Sequence, residues 1–313
     1  EVTTLREDVA TDGRHAQVRF GRDFAADAFR RDFTINALSV ARDYRIHDYA
    51  TGLEDIAARR VRFIGEAGQR IREDYLRILR FFRFSARYSG GAVDSEGLAA
   101  CIRGRAGMAQ LSRERVSTEL LKLLVAPQAA PVIRIMAESG FMAATIAGVP
   151  RLAGLEASIA LDHELGLEPD AIRRLAALAV FTRSDAERLA TGLRLSNQQA
   201  ARLALIALAA EQKSDAPETG GLQRLLYRLG AEAARDHVLT RIERGGAGWR
   251  KAWNALPGLA TPVLPFSGRD LQRLGVPAGP AMGELLRAFE QRWIAAGFPE
   301  DAQDLLAEVV RKH

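Results

Sequence analysis

The chain's 313 residues suffice for about two domains; 48% are hydrophobic, 27% are charged, and the net charge is +5. Its single cysteine, Cys101, excludes an internal disulfide and any cysteine-rich zinc site, and fits a reducing compartment. No apolar run approaches the roughly 18 to 20 residues of a membrane span and no basic-then-apolar leader opens the chain, so a cytoplasmic protein with no membrane contact is expected.

Only four of the 44 basic residues are lysines, so arginine, whose planar fork suits phosphates and base edges, carries nearly all the positive charge. Residues 1–125 hold 22 Lys and Arg against 18 Asp and Glu, which places most of the excess in the first part of the chain and suits a polyanionic partner there.

In chain order, Glu1-Val-Thr-Thr-Leu-Arg6 reads as a strand already under way, so the chain is expected to be the downstream part of a longer protein. Glu7 to His15 is polar with a glycine turn and reads as a mobile loop, and Ala16 to Phe20 as a second short strand. A helix is expected from Asp23 to Phe29. It leads into Arg30-Arg-Asp-Phe-Thr-Ile-Asn-Ala-Leu38, where Arg31, Asp32 and Asn36 sit among apolar neighbours and therefore need partners. A nucleotide's triphosphate and ribose, or an internal network holding a helix end, satisfy them equally well.

Val40 to Tyr49 reads as a hairpin around Arg42-Asp43, Asp48 to Asp55 as a turn with a helix-capping acid, and Arg59 to Ile64 as one more extended segment. The stretch Arg72 to Tyr88 contains neither Gly nor Pro and is expected to form one uninterrupted helix. On its projection Asp74 and Arg77 share a side with Phe81 and Phe84, while Arg80, Arg83 and Arg87 form the next stripe. A carboxylate beside a guanidinium suits the edge of a nucleobase; an ordinary core helix with a solvated basic face gives the same pattern.

Everything beyond Glu66 reads as helical, including a helix opening at Ser112 and Arg115. Pro127 and Pro131 mark a boundary. Beyond them Val132 to Met142, Leu152 to Leu165, Asp170 to Thr182, Asp185 to Leu193 and a helix from Ser196 to near Glu211 precede a polar linker from Lys213 to Gly221. Asp162-His163-Glu164 points in different directions along a helix and reads as surface. Near the end, Ser267 has the character of an N-cap, Gly275 of a C-terminal glycine, and Gly279-Pro280 of a helix entry.

Taken together, Glu1 to Arg6, Asp12-Gly-Arg-His15, Arg30 to Leu38, Asp48 to Asp55, Glu73-Asp-Tyr-Leu-Arg-Ile-Leu-Arg80 and Glu114-Arg-Val-Ser-Thr-Glu-Leu120 resemble, in order and spacing, the motifs of class II tRNA nucleotidyltransferases, the CCA-adding enzymes, and of the related poly(A) polymerases. The resemblance implies an α+β fold in which part of a nucleotidyltransferase-type sheet precedes an all-α remainder. It divides the chain into head (residues 1–62), neck (63–125), body (126–215) and tail (216–313). It also implies CCA addition, or addition of the terminal A, to tRNA from CTP and ATP with Mg²⁺.

By residue, the resemblance matches Arg31 and Asp32 to phosphate and ribose contacts, with Asn36 in support, and Asp74 and Arg77 to the pair that reads the base. Arg80 and Arg83 match phosphate-side contacts, Glu1 a catalytic metal-binding carboxylate, and residues 7–16 the flexible loop linked to ATP selection. The family's Gly-Gly-Xaa-Xaa-Arg-Asp segment and its Asp-Xaa-Asp pair, whose two aspartates are the main metal ligands, are not in this sequence, so the chain alone is expected to be inactive or very weak. A poly(A) polymerase and a non-catalytic RNA-binding module are the alternatives.

Overall fold

The computed structural model describes residues 6–11, 16–20, 23–212, 215–246, 248–273 and 275–312. Glu1, matched above to a catalytic carboxylate, lies outside them. The chain divides into two compact units, Glu1–Leu208 and Ala209–His313.

In the first unit, strands β1 (Arg6–Thr11) and β2 (Ala16–Phe20) pair antiparallel with an irregularity between Asp8 and Ala10. The polar segment expected to be loop from Glu7 is therefore strand as far as Thr11, because ladder pairing overrides its weak strand propensity. Helix α1 (Phe24–Phe29) starts where the Asp23 carboxylate accepts from the backbone N–H groups of Ala25 and Ala26.

A hairpin follows, β3 (Leu38–Val40) with β4 (Ile46–Asp48). The capping acid beyond it is Asp48, whose carboxylate accepts from Ala50, Gly52 and Leu53 at the start of α2 (Gly52–Ala57). The extended segment expected from Arg59 to Ile64 forms only an isolated bridge, Phe63 opposite Phe33.

Two short helices replace the single helix expected from Arg72 to Tyr88. Helix α3 (Ala67–Glu73) ends before Asp74, whose backbone is extended (φ −154°, ψ 107°), and α4 (Leu76–Tyr88) begins two residues later. The Asp74 carboxylate accepts from the Leu76 backbone N–H at 3.1 Å, so a short acid competing for its own backbone turns the chain where propensity alone would continue the helix.

Next come α5 (Ser95–Gly104), α6 (Arg113–Leu124), α7 (Ala129–Glu138), α8 (Phe141–Ile146), α9 (Leu152–Leu165), α10 (Ala171–Ala179), α11 (Arg183–Gly192) and α12 (Asn197–Glu211). Ser112 precedes α6 without a side-chain cap bond. Pro131 falls inside the first turn of α7, where its missing N–H would have had no intrahelical partner, so the boundary lies earlier than expected. The helix expected to run to Met142 breaks at Gly140 (φ +77°).

Helix α4 packs against α6 and α7, and its apolar face is the centre of the core: Ile78, Leu79, Phe81 and Phe82 are buried with Leu120, Leu124, Ile133 and Phe141. Phe33 is wholly buried, with its ring centroid 5.0 Å from Phe63 and 5.1 Å from Phe84, so hydrophobic burial fixes the segment around Asp32 onto α4. Asp162, expected at the surface, is buried. It holds Arg173 and, at 2.9 Å, Arg174, whose guanidinium also donates to the Leu124 carbonyl.

The second unit holds α13 (Thr219–Glu243, broken at Gly230), α14 (Trp249–Ala255), α15 (Gly268–Arg273), α16 (Pro280–Ala295) and α17 (Gln303–Lys312). Its core gathers Leu271, Leu285, Phe289, Trp293, Leu306 and Val309. The turn after α15 is closed at Gly275 (φ +87°), and α16 opens from Gly279 into Pro280, as expected. Among the described residues no helix is long and apolar enough to cross a membrane.

Candidate active site

Docking Phe33 on α4 sets its neighbour Asp32, 7% exposed, against the second turn of that helix. Arg80 Nε donates to Asp32 Oδ2 at 2.5 Å, while Asp32 Oδ1 accepts from Asn36 Nδ2 at 2.8 Å and from the Phe33 backbone at 3.2 Å. Burial alone would lower the Arg80 pKa, but the hydrogen bond and charge of Asp32 more than offset it and raise the value above the usual guanidinium range. Arg31 donates to Asp27 Oδ2 at 2.8 Å and to the Asn36 carbonyl at 3.1 Å. Arg83 Nε donates to Glu119 Oε2 at 2.5 Å, and Arg80 lies 4.0 Å from the same carboxylate.

These contacts bring Arg31, Asp32, Asn36 and Arg80 into one chain of hydrogen bonds, which the Arg80–Glu119 ion pair extends to Arg83. Arg80 and Arg83 are both ion-paired, so this part of the stripe is not a freely solvated basic face. Their guanidiniums lie 5.5 and 4.4 Å from the Phe84 ring centroid, which adds a cation–π contact to each. Arg87 of the same stripe is exposed.

A second cluster surrounds the break between α3 and α4. Arg70 bridges to the first cluster by donating to the carbonyls of Arg30 and Arg31 at 2.6 and 2.5 Å, and it pairs with Glu73 at 2.6 Å. Arg77 Nη1 donates to Glu73 Oε2 at 2.5 Å and to the Arg70 carbonyl at 2.7 Å. Asp74 Oδ2 accepts from Arg115 Nη2 at 2.6 Å.

Asp74 and Arg77 therefore lie three residues apart without pairing to each other, contrary to the expected intrahelical neighbours. The extended backbone at Asp74 takes its carboxylate off the α4 surface and towards α6. Nε and Nη2 of Arg77 donate to no group among the described residues. The pair thus leaves a partly exposed carboxylate and a partly committed guanidinium near one helix start, an acceptor and a donor for a planar ligand edge.

Asp27, Arg70, Glu73, Arg115 and Glu119 were not singled out as site residues in the sequence. Glu73 was legible, being four residues before Arg77 and three after Arg70. The partners on α6 join residues 36 and 41 positions apart, which no local pattern encodes. Among the described residues no group of three or more His, Cys, Asp or Glu could hold a metal ion.

Family models match residues 1–62 as "Poly A polymerase head domain" and residues 92–151 as "Probable RNA and SrmB- binding site of polymerase A". The chain is 32% identical to the human mitochondrial CCA tRNA nucleotidyltransferase 1, over 99% of this chain and 72% of that protein. It is 29% identical to the CCA-adding enzyme of Lacticaseibacillus paracasei, over 98% of this chain and 76% of that one. The crystal structure of the Bacillus stearothermophilus CCA-adding enzyme in complex with CTP superposes with a TM-score of 0.69 at 26% identity, covering 99% of this chain and 78% of that one. With this α+β head and helical remainder, and with identity of that extent, the chain belongs to the family of CCA-adding tRNA nucleotidyltransferases.

Proposed function

We propose that the full-length protein containing this chain catalyses nucleotidyl transfer from CTP and then ATP to the 3′ end of a tRNA that lacks its terminal CCA. The observation that carries this reading is the separately held Asp74 and Arg77 at the start of α4. Cytosine and adenine share an edge with an exocyclic amine beside an unprotonated ring nitrogen; uracil and guanine reverse it. A carboxylate that accepts and a guanidinium that donates match the first edge, and each reversed contact leaves a charged group unpaired at a cost of about 1 to 3 kcal/mol.

In the reaction the tRNA 3′-oxygen bonds to the α-phosphorus, the bond to the bridging oxygen breaks in line, and pyrophosphate leaves. Arg31 is assigned to the phosphates and Asp32 to the ribose, with Asn36 in support, and Arg80 and Arg83 to phosphate-side contacts, their guanidiniums oriented by Asp32 and Glu119. Mg²⁺ dependence remains part of the proposal by family resemblance, with Glu1 as one ligand. Residues 1–62 are assigned to the head, 63–125 to the neck, 126–215 to the body, and 216–313 to the tail that grips tRNA by phosphates and shape. A cytoplasmic site of action fits the single buried, unpaired Cys101.

The match of residues 1–62 to a poly(A) polymerase head keeps one second reading, polyadenylation. Product length decides. Incubated with a CCA-lacking tRNA, CTP and ATP, the full-length protein should add three nucleotides; a long A-tail would establish the second reading, and no extension would sink both.

A further inference from the structure

The contact that decides how Asp74 is presented comes from α6. Arg115 and Glu119 are four residues apart, so they lie on one face of that helix, and both turn to the α3–α4 segment. The cation of the pair takes Asp74 at 2.6 Å; the anion takes Arg83 at 2.5 Å and stands 4.0 Å from Arg80. This face of α6 sorts the charges opposite it. Asp74 has Arg77 three residues on, and were it to pair with Arg77, acceptor and donor would neutralise each other and leave no edge to read a base. Glu73 and the Arg70 carbonyl hold Arg77 from the other side.

We infer that Arg115 is a specificity-determining positioning residue, which holds the Asp74 carboxylate away from Arg77 so that the two remain a separate acceptor and donor for the nucleotide base. The inference rests on the proposed reading of Asp74 and Arg77 as the base-recognising pair. Arg115 acts through Asp74, with its own side chain one-third exposed and Asp74 about one-fifth. A charge contact of this exposure adds little to folding, so its main effect falls on selectivity.

The test is a double-mutant cycle on the full chain, with dissociation constants for CTP and UTP measured by calorimetry for wild type, Arg115→Ala, Arg115→Lys, Asp74→Ala and Asp74→Ala/Arg115→Ala. Arg115→Ala should reduce the preference for CTP over UTP about tenfold or more, and Arg115→Lys should restore most of it. In the Asp74→Ala background, removing Arg115 should change the preference no further. A purely structural Arg115 would lower the affinity for both nucleotides in both backgrounds, and that result would overturn the inference. So would wild-type preference in Arg115→Ala while Asp74→Ala loses it. If Asp74→Ala keeps the preference, the base-recognising role falls and the positioning role falls with it.

Discussion

Asp55 shows what a single carboxylate does in the head. It is fully buried and accepts from Thr34 Oγ1 at 2.6 Å, from Arg60 Nε at 2.8 Å and from Arg62 Nε at 3.1 Å, tying α2 to the segment that carries Asp32. Burial pushes its pKa up, but these three donors and the Arg62 charge pull it below the usual carboxylate value. A depressed folded value means that the stabilisation is present above the unfolded pKa near 4 and is lost as pH falls through the folded one. Asp55→Ala should therefore cost about 2 to 3 kcal/mol at pH 7, less than for a wholly buried pair because both arginines can reach water. Urea unfolding at pH 7 and pH 3 checks this: the gap between wild type and variant should narrow at pH 3, and an unchanged gap would exclude the ionic account. Asp55 was visible in the sequence only as the end of a turn; its partner Thr34 lies 21 residues away, and nothing local points to it.

Among the elements, the break between α3 and α4 shapes the site most and was least legible. The run from Arg72 to Tyr88 consists of acceptable helix formers, so propensity predicts continuity; what interrupts it is the Asp74 cap, the pull of Arg115 and the seat of Tyr75 on the neighbouring segment. Gly107 makes that seat. A Cβ there would stand 2.1 to 2.3 Å from Tyr75 ring atoms, so Gly107→Ala has to displace the ring next to Asp74. It should destabilise the protein by about 1 to 3 kcal/mol and weaken CTP over UTP selectivity as well. Gly192, in the last turn of α11, supplies the contrast, since a Cβ added there would meet nothing within 4 Å. Gly192→Ala should be neutral or stabilising by up to about 1 kcal/mol, with selectivity unchanged. Thermal unfolding and nucleotide binding on both variants test the pair, and equal effects would remove the steric explanation. By contrast the β3–β4 hairpin, the Asp48 cap and the Gly275 turn follow from residue types that act within a few positions, and the sequence displayed them.

At the scale of the whole molecule, the division into two units falls between Leu208 and Ala209, inside α12 and not in the polar stretch expected to be a linker at residues 213–221, of which Thr219 to Gly221 already belong to α13; the chemistry inside the second unit was not legible either. His237 reads in the sequence as an isolated histidine, yet it is 4% exposed, with its ring 5.3 Å from Trp249. Burial first, and the Arg241 charge second, lower its pKa from 6.5 to about 4. The unfolded chain therefore binds a proton that the folded unit refuses. Stability is full above pH 6.5 and declines as pH falls towards 4, by at most about 3 kcal/mol. All three tryptophans, Trp249, Trp253 and Trp293, belong to the second unit, so indole fluorescence reports its unfolding while circular dichroism reports helices of both. Because each unit has its own core, the fluorescence midpoint should fall between pH 7 and pH 5 in wild type and fall less in His237→Phe. Asp55→Ala should shift the circular dichroism transition at pH 7 and leave the fluorescence midpoint within about 1 °C. If Asp55→Ala moved both signals together, the two units would be one cooperative body, and the acid sensitivity would have to be assigned to the whole chain instead of to His237.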